Sequence, residues 1–225
     1  MVDFLDFFLK IFFTHDSKRG NVIFMKKFIP YLFVLFLGSC AYSGSYNPSF
    51  VPQSISYPDS QKISGSGLVY MDAVDESYVF EGRPTSFTGG GTSLKLPLGN
   101  YSKQIALRVF SELFTDGVRF SNDLRDSNNY LLTINPKITS FSYAYNAASS
   151  LGFTITPEAK ISMQISVYDK DAKKVFDKTY YPEKLEGDTY MFSANPDEKV
   201  NQAAHRLISN IFEQSLADIR NALTE

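Results

Sequence analysis

Ala159-Lys160-Ile161-Ser162-Met163-Gln164-Ile165-Ser166-Val167-Tyr168 decides the fold. Ile161, Met163, Ile165 and Val167 fall on one side of an extended chain, and Lys160, Ser162, Gln164 and Ser166 on the other. That period of two marks a strand with one face in a core and one in water. Asp169-Lys170-Asp171-Ala172-Lys173 then turns the chain into Lys174–Tyr181, which predicts a hairpin. Upstream, Tyr130–Ile134, Ile138 and Phe141–Tyr145 read as further strand material. Their alternation changes phase near Pro136, which predicts an edge position or a bulge. Before these, Leu68–Met71, Tyr78–Phe80 and Ser93–Leu98 also read as strands.

Two helices complete the pattern. Ile105, Ala106, Val109, Phe110, Leu113 and Phe114 recur at three- and four-residue spacing, which predicts a helix over 101–115, capped by Asn100 and ended at Gly117. Asn195-Pro196-Asp197-Glu198 opens a second helix with a cap, a first-turn proline and acids that complement the dipole. Its buried stripe is Val200, Ala203, Ala204, Leu207, Ile208, Ile211, Phe212, Ile219 and Leu223. The expected fold is α+β, an antiparallel sheet with two helices packed on one face.

Cys40 is the only cysteine of the 225 residues. It ends Met25-Lys26-Lys27, an apolar run from Phe28 to Leu37, then Gly38-Ser39-Cys40. A positive start, an apolar centre too short to span a bilayer and small residues before a cut are the parts of a secretory signal. Leu37-Gly38-Ser39-Cys40 resembles the lipobox of bacterial lipoproteins. The resemblance implies cleavage before Cys40, acyl chains on its sulfur and amino group, and attachment to the membrane through those chains. Ala41 rather than Asp after the cysteine implies the outer membrane, facing the periplasm. Asp3 and Asp6 are foreign to a signal start, so residues 1–24 read as a mis-assigned start or leader extension, with 25–39 the signal. Residues 40–67, rich in Ser, Gly, Tyr, Asn and Pro, read as a lipidated flexible tether to a domain over 68–225.

The whole chain carries a net charge of −2, and five of its 22 basic but only three of its 24 acidic residues lie before Cys40. The remainder is therefore more acidic still. No basic face is available for nucleic acid. With Cys40 acylated no disulfide forms, and packing must hold the domain together.

Chemistry has few residues to use. His205 is the only histidine after Cys40 and neighbours Ala204 and Arg206, with no serine nucleophile or carboxylate pair beside it; it reads as a surface or boundary residue. Gly89-Gly90-Gly91-Thr92-Ser93 lacks the Gly-Lys-Ser/Thr ending of a phosphate loop. Asp169-Lys170-Asp171 lacks the glycine and the glutamate of a calcium loop. The expectation is a protein without catalytic site, metal or cofactor.

What remains is surface for binding. Phe141, Tyr143, Tyr145, Leu151 and Phe153 lie in an aromatic, uncharged segment. They either complete the core or, exposed at a sheet edge, pair with a partner strand or cover an acyl chain. Over roughly 90–223 the order Leu-Lys-Leu-Pro-Leu-Gly, helix, strands, hairpin and final helix resembles YajG-type lipoproteins and, more loosely, lipoprotein auxiliaries of envelope transport. That resemblance implies a non-enzymatic protein that binds an envelope protein or lipid. The alternatives are an accessory in lipid or lipopolysaccharide transport, or one in a secretion or surface-appendage assembly.

Overall fold

The computed structural model describes residues 40–87, 92–146, 154–181, 185–186, 190–191 and 196–224. The folded unit is Cys40–Glu225. It is α+β, as the periodicity predicts, but the strands form two sheets and the larger is mixed.

The chain enters through β1 (Cys40–Ser43), crosses two helices as irregular chain, and forms β2 (Gly67–Tyr70). A short helix, α1 (Ala73–Glu76), leads to β3 (Phe80–Gly82) and β4 (Thr92–Leu96). Then come α2 (Leu98–Phe110), β5 (Val118–Ser121), β6 (Leu132–Asn146), β7 (Thr154–Asp169) and β8 (Lys174–Tyr180). Two short strands, β9 (Leu185–Glu186) and β10 (Tyr190–Met191), precede α3 (Pro196–Thr224).

In the small sheet β4 lies between β1, parallel to it, and β3, antiparallel. In the large sheet β7 is central. One edge pairs with β6 along nearly its whole length, and the other takes β8, β9 and β10, all antiparallel. Beyond β6 the pairing turns parallel, with β2 between β6 and β5. Parallel neighbours need a crossover, and α2 supplies it between β2 and β5. The expected all-antiparallel sheet is corrected on this point. The sequence signal for β2 and β5 is four residues each, too short to show orientation.

The stretches read as separate strands between Tyr130 and Tyr145 are one strand, β6. Leu132, Ile134, Pro136 and Ile138 oppose Asp169, Val167, Ile165 and Met163, whereas Phe141, Tyr143 and Tyr145 oppose Ile161, Ala159 and Pro157. The register shifts between Ile138 and Ser140. Thr139 is the extra residue, and the bulge moves the inward-facing set from even to odd positions. The bulge lies three residues past Pro136, which itself sits in the ladder.

The helix α2 starts earlier than expected, at Leu98, with Asn100 exposed inside its first turn. No side chain caps it. Instead the Gly99 amide donates to the Tyr78 carbonyl at 2.9 Å. The tightly wound turn Ser111–Leu113 follows, and Gly117 takes φ +70 beyond it. Tyr78, read as strand, is the exit of α1, whose cap is Asp72 accepting from the Asp75 amide at 2.7 Å. Buried residues of α2, α3 and the inner sheet face form one core with Leu94 and Leu96 of the small sheet.

The stretch 40–67, expected as a flexible tether, packs on the domain instead. Gly44 N–H donates to the Lys95 carbonyl, Val51 is buried, and Ile63 pairs with Leu113 and Thr115 through backbone bonds. The composition suited a spacer, but the aromatic and apolar residues scattered through it find a groove over the helices. Residues 1–24 and the signal 25–39 lie outside the described residues.

Candidate functional site

Cys40 is the first residue of β1, and its backbone is in register with Thr92. The same sheet aligns Tyr42 with Leu94 and Leu94 with Gly82. Past Gly82 the chain runs toward the end of β6. The Thr85 amide donates to the Tyr143 carbonyl at 2.8 Å, and Ser86 Oγ accepts from the Tyr145 amide at 2.8 Å. The Tyr145 hydroxyl donates to Asp197 in the first turn of α3 at 2.7 Å. Cys40, residues 85–87, the end of β6 and the start of α3 therefore share one end of the folded unit.

Residues following β1 form a strap across α3, and His205 is where it fastens. The imidazole is completely buried. Its Nε2 accepts the Asn47 amide at 3.0 Å, while Nδ1 lies 2.8 Å from the Asn201 carbonyl. A ring that accepts at Nε2 and faces a carbonyl at Nδ1 is neutral with its proton on Nδ1. Tyr46 stacks on it, Tyr101 packs tilted against it and Phe50 meets it edge-on, at centroid distances of 5.4, 4.1 and 5.5 Å. Burial pushes its pKa below the ordinary histidine value, against a smaller opposing pull from the Asn201 backbone. Beside it Tyr101 donates to Asn201 Oδ1 at 2.8 Å, and Asn201 Nδ2 donates to the Ser45 carbonyl at 3.2 Å. His205 is thus a buried clamp for the strap rather than a surface residue.

The aromatic segment divides as follows. Phe141, Tyr143 and Tyr145 are buried and face the core, where Phe80 packs on Phe141 at 4.7 Å. They offer no open surface, so the core reading holds for these three. Leu151 and Phe153 lie outside the described residues.

A cleft of ≈ 220 Å³ opens at the opposite end of the large sheet, lined by Tyr70, Leu124, Ser127, Thr133, Asn135, Tyr168, Asp169 and Ala172. Thr133 and Tyr168 are paired across β6 and β7, so both project from the face turned away from the helices. The turn Leu124–Asn129 walls one side and the β7–β8 turn the other, where Ala172 holds φ 58. Four hydroxyls among the described residues are buried without a partner, those of Ser54, Ser102, Thr133 and Ser209, and of these Thr133 lines this cleft. A buried hydroxyl left unpaired is costly unless a ligand or water satisfies it. A second depression, of ≈ 250 Å³ beside Tyr57, Ala217, Arg220 and Asn221, has no such group. No sequence signal marked the distal cleft, because its residues come from β2, β6, β7 and two turns.

Among the described residues no three of His, Cys, Asp and Glu converge as metal ligands, and no helix is long and apolar enough to cross a membrane.

No family model matches the chain, and no curated protein matches it in sequence. Solved structures resemble it at low identity. A DUF330-family protein from Xanthomonas campestris is 14% identical with a TM-score of 0.49, the match covering 82% of this chain and 96% of that one. A minor lipoprotein from Acinetobacter baumannii is 9% identical with a TM-score of 0.33, over 69% and 91% of the two chains. A neuraminyllactose-binding hemagglutinin homolog from Helicobacter pylori is 10% identical with a TM-score of 0.37, over 75% and 92%.

Proposed function

We propose that this chain is a non-enzymatic lipoprotein of the bacterial outer membrane, anchored through acylated Cys40, whose periplasmic domain binds another envelope component in the distal cleft. One coincidence carries the reading. The residue at which the Leu37-Gly38-Ser39-Cys40 pattern implies cleavage is also the first residue of β1 and of the folded unit. Processing there would leave every element of the domain intact. Attachment then rests on the acyl chains, since two or three of them hold firmly where one does not.

The cleft supports a binding role. Tyr70, Tyr168 and Leu124 give it apolar walls, while Thr133, Asn135 and Ser127 supply a few convergent polar groups. Orientation by a few polar groups within apolar walls is how small-ligand sites are built. With the Asp169 carboxylate already accepting the Asp171 and Lys173 amides, the set suits an uncharged ligand part with one apolar face, from a lipid, a glycan or a protein side chain.

A photo-crosslinking amino acid at Leu124, which is 55% exposed on the rim, tests this in intact envelopes. The expected result is a discrete adduct that disappears when Thr133→Phe fills the cleft. A lipid or transporter adduct places the protein in envelope lipid or lipopolysaccharide handling, and a secretion component places it in that assembly. No adduct above that of a crosslinker at a site outside the cleft overturns the binding role.

A further inference from the structure

We infer that the acyl chains on Cys40 seat the domain directly on the bilayer, with no spacer, so that Phe87 enters the headgroup layer and the distal cleft faces away from the membrane. This rests on the lipoprotein reading and adds the geometry of attachment.

The register of the small sheet carries it. A free tether over 40–67 would have let the domain range up to about 90 Å from its anchor. Instead Cys40 is itself paired with Thr92, and the chain is held continuously from there. Gly44 bonds Lys95, the Ser45 carbonyl accepts from Asn201, and the Asn47 amide donates to His205. No residue of slack separates the lipidated position from the domain.

The surface that meets the lipid follows from the same rungs. Taking the Tyr42–Leu94–Gly82 rung as origin, Cys40 lies two residues further out and Phe87 five residues beyond Gly82. Phe87 is wholly exposed, at 104%. A large apolar side chain held fully in water beside a lipid attachment point has a natural place among headgroups, where aromatic residues collect. Among the described residues, the charged ones near this end include Arg83, Glu158, Lys160, Glu186, Asp197 and Lys199, which are of mixed sign. The seat is therefore set by the covalent lipid and Phe87 and not by attraction to anionic lipid.

Orientation of the cleft is then fixed. Thr133 lies 12 residues before Tyr145 on β6, roughly 35–40 Å along the strand even after the bulge. A ligand reaches the cleft from the periplasm and not from the outer-membrane surface beneath the domain.

The test uses the lipidated protein in phosphatidylethanolamine/phosphatidylglycerol vesicles. With Cys40 acylated, Phe87→Cys and Leu124→Cys each supply a lone thiol for a fluorophore. Quenching by nitroxide lipids should be about five-fold stronger at position 87 than at 124, quenching by aqueous iodide should show the reverse, and both should be unchanged by salt. A Gly/Ser insertion of about ten residues between Cys40 and Ala41 restores slack and should abolish the contrast. Equal quenching at the two positions in the uninserted protein overturns the seating. Mass measurement of the N-terminal peptide separates the two ideas: acylated Cys40 with an accessible position 87 sinks only the seating, whereas unacylated Cys40 sinks the lipoprotein reading and the seating with it.

Discussion

At the scale of single residues, two buried polar side chains say most. His205 holds the strap only while neutral, because protonated imidazole has no lone pair to accept the Asn47 amide. Its folded-state pKa lies below the unfolded value of 6.5. Above pH 6.5 both states are neutral and the clamp is intact. As pH falls below 6.5 the unfolded chain takes up the proton first, so stability declines toward the lowered folded pKa. Thermal melts between pH 7.5 and 5 should show this decline in the wild type and not in His205→Gln. The carboxylates with depressed pKa, Asp123, Asp177 and Asp218, lose their contribution only below the ordinary Asp value of 3.8, outside that window. Glu213, its pKa raised by burial, acts the other way in both proteins, so a wild-type Tm that falls no more steeply than that of His205→Gln contradicts the neutral clamp. Thr133 makes the opposite kind of case. Thr133→Val removes an unpaired buried hydroxyl and keeps the shape, so it should leave stability unchanged or raise it by about 1 kcal/mol while weakening capture in the cleft. Loss of more than about 1 kcal/mol in a denaturant titration would mean the hydroxyl is satisfied within the fold. Neither role was legible in the sequence. His205 sits beside Ala204 and Arg206, and Asn47, which fastens the strap to it, lies 158 positions away in sequence. Thr133 reads only as one strand residue among many.

At the scale of elements, legibility tracked length and periodicity. The hairpin of β7 and β8 and the long helix α3 were readable because 10 or more residues repeat one spacing. Leu223, assigned to the buried stripe, is 39% exposed in the last turn of α3, and Leu216, not assigned to it, is buried. The short β1, β5, β9 and β10 carry too few residues to show a period. The phase change in β6 is visible as a change of alternation, but its position is not, since the pattern alone does not separate Pro136 from Thr139. The bulge gives a sharp prediction. Thr139→Ala should shift Tm little, because the backbone and not the side chain makes the bulge. Deleting Thr139 would close the bulge into an unbroken ladder, with Ile138, Ser140 and Phe141 opposing Met163, Ser162 and Ile161, so Phe141, Tyr143 and Tyr145 keep facing the core and the deletion variant should still fold by circular dichroism. Deleting Ser140 as well would turn those three to the outer face, and a folded double deletion contradicts the register. The start of α2 gives another. A side chain at Gly99 would run into the carbonyl oxygens of Asp75 and Glu76, which are backbone and cannot swing aside. Gly99→Ala should therefore destabilise by about 2–4 kcal/mol, read from denaturant titration, although alanine is the better helix former.

At the scale of the whole molecule, the strap converts what composition marks as a spacer into part of the core. Val51 is 6% exposed, Tyr46 and Phe50 cover His205, and the Tyr57 ring lies 4.3 Å from the Arg220 guanidinium. Composition averages over a segment, whereas burial depends on whether its few apolar side chains meet a complementary groove, which only the folded helices provide. The larger consequence is for α3, which is buried on the strap side as well as the core side: Asn201, His205 and Ser209 are all under 5% exposed. A chain beginning at Pro52 should thus lose more than a dangling tail. Burial of Val51 contributes about 1.5–3 kcal/mol, and the backbone bonds at Ser45 and Asn47 about 1 kcal/mol each. Together with the ring contacts that is about 4–6 kcal/mol, a large share of the 5–15 kcal/mol typical of a domain. The melting temperature of the shortened chain should fall by roughly 10–20 °C relative to a chain beginning at Ala41. Hydrogen exchange should show the loss concentrated in α3 from Asn201 to Ser209, the stretch the strap covers. If the two chains melt together, the strap is a spacer after all; if the shortened chain melts low with α3 unprotected, the residues after Cys40 are as much part of the fold as the strand they pair with.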